Sequence, residues 1–193
     1  PENLNVIYEQ GTLNHHVLFE PYKADRAHTD YPLAVAMAKT IINDDLCRQL
    51  IMMGDFKREH EFYKEDVRGI RGRAKMDGSS KSLSCVMEYK GLSVASEKAF
   101  MDAIDRFDYD QGSAWYLDVS GYQRLLIAAV SKTDPRKLFK VLVDRNHWIY
   151  KRGSIKVDRA VQVWKDFFGD RKGTVDDILA PNPLMYQREL YTV

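Results

Sequence analysis

The sequence contains only two cysteines, Cys47 and Cys85, and they lie far apart along the chain. Structural zinc and iron–sulfur sites take pairs of cysteines separated by a few residues, so neither kind of site is expected. Unpaired cysteines of this sort are typical of buried thiols in a reducing compartment. We therefore expect no disulfide framework.

Long apolar runs are also missing. No segment approaches the roughly 20 consecutive apolar residues that a membrane-spanning helix needs. The first ten residues, PENLNVIYEQ, lack the basic and apolar regions of a secretory signal. The sequence therefore predicts a cytoplasmic protein with no membrane partner.

The chain has almost no net charge, with a formal value of +1, but its charges are unevenly distributed. Between Gly121 and Gly173, 13 lysines and arginines stand against five aspartates, so the rest of the chain is acidic. This contrast suits a basic face that follows a phosphate backbone beside an acidic metal site. Charges dispersed over several faces would give the same count, and both interpretations stay open.

Length and composition predict one globular domain. A chain of 193 residues can bury one sizeable core and is too short for two. Its 45% hydrophobic and 30% charged residues exclude a disordered or fibrous protein. We divide the predicted domain, 1–193, into a helical N-terminal segment (1–54), a central core (55–168) and an extended tail (170–193).

Helical periodicity marks the N-terminal segment. Leu33, Met37 and Ile41 recur at helical spacing, and Asn43 or Asp44 can cap a continuation. This pattern predicts a helical hairpin or a kinked helix.

Two later helices are predicted from the residues that can cap them. Ser93 can begin a helix after the first strand-like region, and Ser154 can begin one near the C-terminus. In the second helix, Trp164, Phe167 and Phe168 follow helical spacing on one face. We expect these three aromatic side chains to pack inward.

Three short apolar segments read as strands. Apolar and polar residues alternate over 83–90, while RLLIAAVS (124–131) and KLFKVLVD (137–144) are dense in apolar residues and separated by the turn-like KTDPR. Ser120 and Gln123 have capping-box spacing, so a helix competes for 124–131. The last segment is apolar on both faces, which predicts a strand buried on both sides.

Asp77, followed after ten residues by Glu88-Tyr89-Lys90, is the pattern that carries chemistry. On a strand, Glu88 and Lys90 point to the same face with Cα atoms about 6.6 Å apart, and a hairpin can bring Asp77 alongside. Two carboxylates can then ligate Mg²⁺, and a lysine can orient or deprotonate water and offset negative charge. Acidic-x-Lys triplets also arise by chance on half-exposed strands. Spacing alone does not distinguish a metal site from such a chance occurrence.

Four stretches of the sequence, and their order along the chain, are also informative. They are GTLNHHVLFEPYKAD; EHEFYKEDVRGIRGRAKMDG; SCVMEYKG; and SEKAFMDAIDRFDYDQGSAWYLD with QRLLIAAVSKTDPRKLFKVLVDR. Together they resemble the RecE-type and phage exonuclease branch of the PD-(D/E)XK nuclease superfamily over most of the chain. The resemblance implies an α/β, restriction-endonuclease-like fold, in which helices flank a mixed central β-sheet.

The resemblance also implies a set of site residues. Asp77 and Glu88 take the metal-ligand positions, and Lys90 takes the catalytic lysine position. His15 matches a catalytic histidine of the first stretch. A further upstream acidic ligand is best matched by Glu61, with Glu59 and Glu65 as alternatives.

Six residues are candidates for contact with nucleic acid. The Gln-x-x-x-Tyr element of the family matches Gln111, although the residue four positions later is Trp115 and Tyr116 fits better by its neighbours. Lys151 and Arg152 flank a turn and a predicted helix start, where phosphate contacts are common. Arg71 and Arg73 complete the set, beside the strand that leads to Asp77.

The function implied by the resemblance is a metal-dependent DNA exonuclease. It would hydrolyse duplex DNA from a free end with Mg²⁺, or Mn²⁺, in recombination, repair or phage replication in a bacterial or phage-infected cell. A homo-oligomeric ring and a recombination partner protein are expected on the same ground. Two alternatives remain: a catalytically inactive nuclease-fold subunit that binds nucleic acid or supports assembly, and a helical virion or interaction protein.

Overall fold

The computed structural model describes residues 27–169, with five α-helices, one π-helical turn and five strands in this part of the chain. The helices are α1 (Ala27–Asn43), α2 (Asp45–Ile51), α3 (Glu97–Arg106), α4 (Tyr109–Ser120) and α5 (Trp148–Trp164). The strands are β1 (Lys57–Val67), β2 (Ile70–Ser80), β3 (Cys85–Leu92), β4 (Arg124–Ser131) and β5 (Leu138–Asp144). The chain divides into two compact units, Pro1–Val157 and Asp158–Val193, and all five strands belong to the first.

The five strands form one mixed sheet in the order β1-β2-β3-β4-β5. Neighbouring strands are antiparallel except β3 and β4, which run parallel over the full length of β3. A parallel connection needs a crossover, and α3 and α4 provide it. The expected α/β mixed central sheet flanked by helices is therefore confirmed, and the helical reading of 124–131 is wrong because this segment is β4.

Side chains of β4 alternate between two apolar clusters, one on each face of the sheet. Leu125, Ile127 and Ala129 join the larger cluster with Phe100 of α3 and Leu117 of α4. On the other face, a smaller cluster surrounds Leu126 and Ala128 with residues of α2. Both faces of β4 are buried, which explains its almost continuous apolar sequence.

Capping residues mark where the helices begin, and one of the predicted caps is wrong. Asp44 caps α2 as predicted, because its carboxylate accepts a hydrogen bond from the Cys47 N–H at 3.0 Å. The predicted cap at Ser93 is wrong, since Ser96 accepts the Ala99 N–H and begins α3. Strand β3 continues to Leu92, so Ser93 is too close to the sheet to begin a helix.

Two further predictions are also wrong: the burial of β5 on both faces and the residue that begins the last helix. Strand β5 lies at an edge of the sheet, and only Val143 is fully buried in it, so the prediction of a strand buried on both faces is wrong. Ser154 lies inside α5 and does not cap it, because the helix already begins at Trp148.

The C-terminal aromatic residues are more exposed than predicted. Trp164 ends α5, and Phe167 and Phe168 lie in the π-helical turn Lys165–Gly169. Trp164 and Phe168 are 45% and 52% exposed, so the expectation that they pack inward is wrong. The predicted extended tail, 170–193, lies outside the described residues. None of the helices described between residues 27 and 169 combines the length and the apolar character that crossing a membrane requires.

Candidate active site

The β2–β3 hairpin places Asp77 and Glu88 opposite each other. Its backbone pairs are Ser80 with Cys85, Ser79 with Val86 and Gly78 with Met87. The next position on each strand is occupied by Asp77 and Glu88, where the regular pairing has ended. There the Asp77 carboxylate accepts a hydrogen bond from the Tyr89 N–H at 2.6 Å, which ties it to β3. The two carboxylates therefore meet where the strands begin to separate.

Glu88 is a buried carboxylate with one oxygen in use. Lys90 donates a hydrogen bond to Glu88 Oε1 at 2.5 Å, as expected for residues two apart on one strand face. Glu88 Oε2 is buried and has no hydrogen-bond partner among the described residues. Buried carboxylate oxygens are normally satisfied, so this atom is free to accept a further partner.

The electrostatics of the pair reflect its burial. Burial raises the pKa of Glu88, the hydrogen bond from Lys90 opposes that effect, and the nearby Asp77 charge reinforces it. Burial alone would lower the pKa of Lys90, but the hydrogen bond and charge of Glu88 outweigh it and raise the pKa. Asp77 therefore acts on Glu88 as a neighbouring like charge, in agreement with their facing positions on β2 and β3.

A cavity of about 240 Å³ opens in front of Glu88 and Lys90. Its far wall is the junction of α3 and α4, and it includes Phe107, Asp108, Tyr109 and Tyr116. Asp108 adopts a left-handed conformation, with φ of 53°, which lets the chain turn directly from one helix into the next. This corner sets the aromatic wall of the cavity.

Two tyrosines of α4 lie close to the charged pair. The Lys90 ammonium lies 5.3 Å from the centroid of the Tyr109 ring, within cation–π range. Burial raises the pKa of Tyr116, and the charges of Glu88 and Asp77 add to it. The structure thus brings Tyr116, a predicted nucleic-acid contact, to Asp77, Glu88 and Lys90, whereas Gln111 is partly buried and is not part of the cavity wall.

The three upstream acidic candidates lie elsewhere, on the exposed surface of β1. Each is bound to a basic residue of β2: Glu59 to Lys75 at 2.5 Å, Glu61 to Arg73 at 3.1 Å, and Glu65 to Arg71 at 3.3 Å. Within 27–169, the acidic, histidine and cysteine side chains form no group of three that could hold a metal ion. The structure therefore does not bring Glu61 together with Asp77 and Glu88, and it engages Arg71 and Arg73 in ion pairs.

Arg152 is engaged in an ion pair inside the protein. Its guanidinium donates to Asp110 at 2.5 Å, and the fully buried Asp110 also accepts from Lys156 at 3.0 Å. Burial alone would raise the pKa of Asp110, but hydrogen bonds from Lys156 and Arg152 outweigh it and lower the pKa. These contacts join α4 to α5. Lys151 is exposed on α5, and His15 lies outside the described residues.

Sequence reasoning missed Asp110 and the aromatic wall. Asp110, Ser113, Ala114 and Leu117 are all buried and recur at helical spacing on one face of α4. That spacing is visible in the sequence and predicts that Asp110 faces inward. The inward position of Asp110 was not predicted, because the segment DYDQG around it has the composition of a turn.

Comparisons with known proteins address the fold. The crystal structure of the protein named "Putative exonuclease" from Eubacterium rectale superimposes with a TM-score of 0.66 over 96% of this chain and 76% of that chain, at 13% sequence identity. Two others, an alkaline exonuclease from Laribacter hongkongensis and a phage-related exonuclease from Haemophilus somnus 129PT, each give a TM-score of 0.41. Their identities are 13% and 14%, with 63% and 69% of this chain covered and 63% and 73% of theirs. The chain therefore shares an α/β, restriction-endonuclease-like fold, a mixed β-sheet flanked by helices.

Comparison of the amino-acid sequence with known families and proteins gives no match. No protein-family model matches the chain. No curated protein matches it either.

Proposed function

We propose that this protein is a metal-dependent DNA nuclease, and that it acts as an exonuclease on duplex ends. The observation that carries the proposal is the meeting of Asp77, Glu88 and Lys90 at the open end of the β2–β3 ladder, beside a cavity. Glu88 is a buried carboxylate of raised pKa that lines a cavity beside a charged partner, which makes it a candidate functional group. The shared fold with an exonuclease-named structure agrees with this chemistry.

Asp77 and Glu88 are the residues that would hold Mg²⁺ or Mn²⁺. Glu88 Oε2 is the specific point of fit, since it is a buried oxygen without a partner. Two carboxylates suffice for Mg²⁺, which usually keeps several waters and takes one or two protein carboxylates. When bound, the ion would polarise a phosphoryl oxygen and acidify a water molecule.

The other residues act through charge and shape. Lys90 carries an ammonium that can offset the negative charge developing on a phosphodiester at this site. Tyr109 and Tyr116 border the same cavity and form its aromatic wall. His15 stays a candidate by resemblance alone.

The charge distribution and the fold support a nucleic-acid substrate. The basic excess over 121–173 suits a phosphate backbone, and duplex DNA with a free end is the substrate that we propose. Assembly into a homo-oligomeric ring, and cooperation with a recombination partner protein, belong to the same proposal. Enclosing the duplex would keep the enzyme on its substrate between cleavage events.

The proposal is tested with linear and circular duplex DNA. We expect Mg²⁺ or Mn²⁺ to support release of nucleotides from the linear form, EDTA to abolish it, and the circular form to persist. Asp77→Asn and Lys90→Ala should lose the activity by at least about a hundredfold, as for removal of a single charge-stabilising group. Lys98→Ala, an exposed change on α3, should keep it.

One result would contradict the nuclease. A folded protein that binds DNA but releases no nucleotide with either metal would instead be the inactive nuclease-fold subunit that the sequence also allows.

A further inference from the structure

A second cavity, of about 540 Å³, adjoins the candidate active site. The two cavities share one wall residue, Phe107, and both border β3, the first at Lys90 and the second at Gly91 and Leu92. Cavities of roughly 300–1,000 Å³ are the size of sites for small ligands. A polymer entering the first cavity would therefore have room to continue into the second.

Two cations border this second cavity. Arg106 ends α3, and Lys132 directly follows β4. Both are exposed, and neither forms an ion pair within the described residues, whereas Lys90, Arg152 and Lys156 all do. Asp102 is the one carboxylate on the same wall, so the cations outnumber it. Unpaired cations beside a catalytic site are suited to phosphate oxygens.

An aromatic ring stands between the two cavities. Phe107 is 52% exposed, although its neighbours Ala103 and Ile104 are buried. The Arg106 guanidinium lies 5.7 Å from the centroid of this ring. The floor beside it is apolar, because Leu92 and Val94 border the cavity and are almost fully buried. An exposed ring above an apolar floor is a surface on which an unpaired base can stack.

Backbone geometry at the end of α3 positions the residue that carries this ring. Phe107 is the C-cap of α3, and the left-handed Asp108 follows it immediately. The Asp108 carboxylate accepts a hydrogen bond from Lys156 at 2.8 Å, which anchors the corner to α5. The backbone that carries Phe107 is therefore anchored at this corner, beside both cavities.

We infer that the second cavity is a nucleotide subsite that holds the unpaired nucleotide adjoining the scissile phosphate. Arg106 and Lys132 contact its phosphate, and Phe107 stacks on its base. This inference rests on the proposed nuclease function and names positioning residues for it. It also predicts that the enzyme holds a locally unpaired strand at the site.

Binding without cleavage tests the subsite. Short fluorescein-labelled duplexes with a single-stranded tail, in 3′- and 5′-tailed versions, would be titrated with the full chain in Ca²⁺, and the affinity followed by anisotropy over a range of salt. We expect Phe107→Ala to weaken binding about tenfold, and Phe107→Tyr to restore it, because stacking needs only an aromatic face. Arg106→Ala and Lys132→Ala should each lower the salt slope by roughly 0.7 to 1.

The matched control is Lys98→Ala, which removes a cation from the same helix outside both cavities. Its affinity and salt slope should equal those of the wild type. In a cleavage assay with Mg²⁺, the three subsite variants should raise KM about tenfold and change kcat less, which separates positioning from general damage.

The outcomes separate this inference from the nuclease proposal. If the wild type binds and cleaves DNA while Phe107→Ala, Arg106→Ala and Lys132→Ala match Lys98→Ala, the subsite is refuted and the nuclease stands. If the variants lose binding but the wild type never cleaves, the nucleotide contacts of the second cavity are supported, while the nuclease, and with it the place beside a scissile phosphate, is refuted. A wild type that neither binds nor cleaves overturns both.

Discussion

Lys90 and Glu88 form a largely buried ion pair within one strand, with Nζ and Oε1 2.5 Å apart and side chains 26% and 11% exposed. Removing one partner of such a pair leaves the other charge buried without compensation. Lys90→Met should therefore lower the free energy of unfolding by about 2 kcal/mol in EDTA, measured by urea denaturation.

A double-mutant cycle provides the control for that prediction. Glu88→Gln combined with Lys90→Met removes both charges and should recover most of the lost stability. Additive losses in the double variant would show that the two side chains do not interact in solution.

Metal binding should stabilise the protein through Asp77 and Glu88. A ligand that binds only the folded state adds about 2.7 kcal/mol at a concentration one hundred times its Kd, so Mg²⁺ or Mn²⁺ should raise Tm in a thermal melt. Asp77→Asn and Glu88→Gln should abolish the shift. Glu61→Gln should retain it, because the structure binds Glu61 to Arg73 and away from the site. Loss of the shift in Glu61→Gln would place that carboxylate among the ligands.

Gly153 of α5 packs directly against the backbone of α4. A Cβ at this position would lie 1.8 Å from the carbonyl oxygen of Asp110, a backbone atom that cannot move aside cheaply. Gly153→Ala should therefore lower the free energy of unfolding by about 3 kcal/mol or more in urea denaturation. Gly112→Ala is the matched control on α4, since its Cβ meets nothing within 4 Å, and alanine in a helix should stabilise by roughly 0.5–1 kcal/mol. Equal stabilities for the two variants would contradict the close approach.

The strand bearing Glu88 and Lys90 was predictable because its pattern is local. Alternation over 83–90 and the turn residues before it determine both the strand and the shared face of the two side chains. The partners of Glu61 were not predictable, because they depend on the β1–β2 register. That register sets Glu61 opposite Lys75 and beside Arg73, and no property of Glu61 alone encodes it.

Long-range contacts also explain the missed elements. Asp110 is neutralised by Arg152 and Lys156, more than forty residues away in the sequence. Ser93 has the composition of a helix cap, but the parallel pairing of β3 with β4 extends to Leu92 and moves the helix start to Ser96. In both cases tertiary pairing overrides local propensity.

The two cysteines should be unreactive in the folded protein. Burial raises the pKa of Cys47 to about 12 and that of Cys85 to about 11, against about 8.5 for a free thiol. The thiolate is the nucleophile, so iodoacetamide near pH 8 should label neither residue until denaturant is added, as read by mass spectrometry. Because both folded pKa values are raised, the stabilising contribution of the thiols is complete below about pH 8.5 and is lost as the pH rises towards 11. The free energy of unfolding should fall over that interval, and less steeply in Cys47→Ala. Rapid labelling of the native protein would contradict the burial of these thiols between α2 and the sheet.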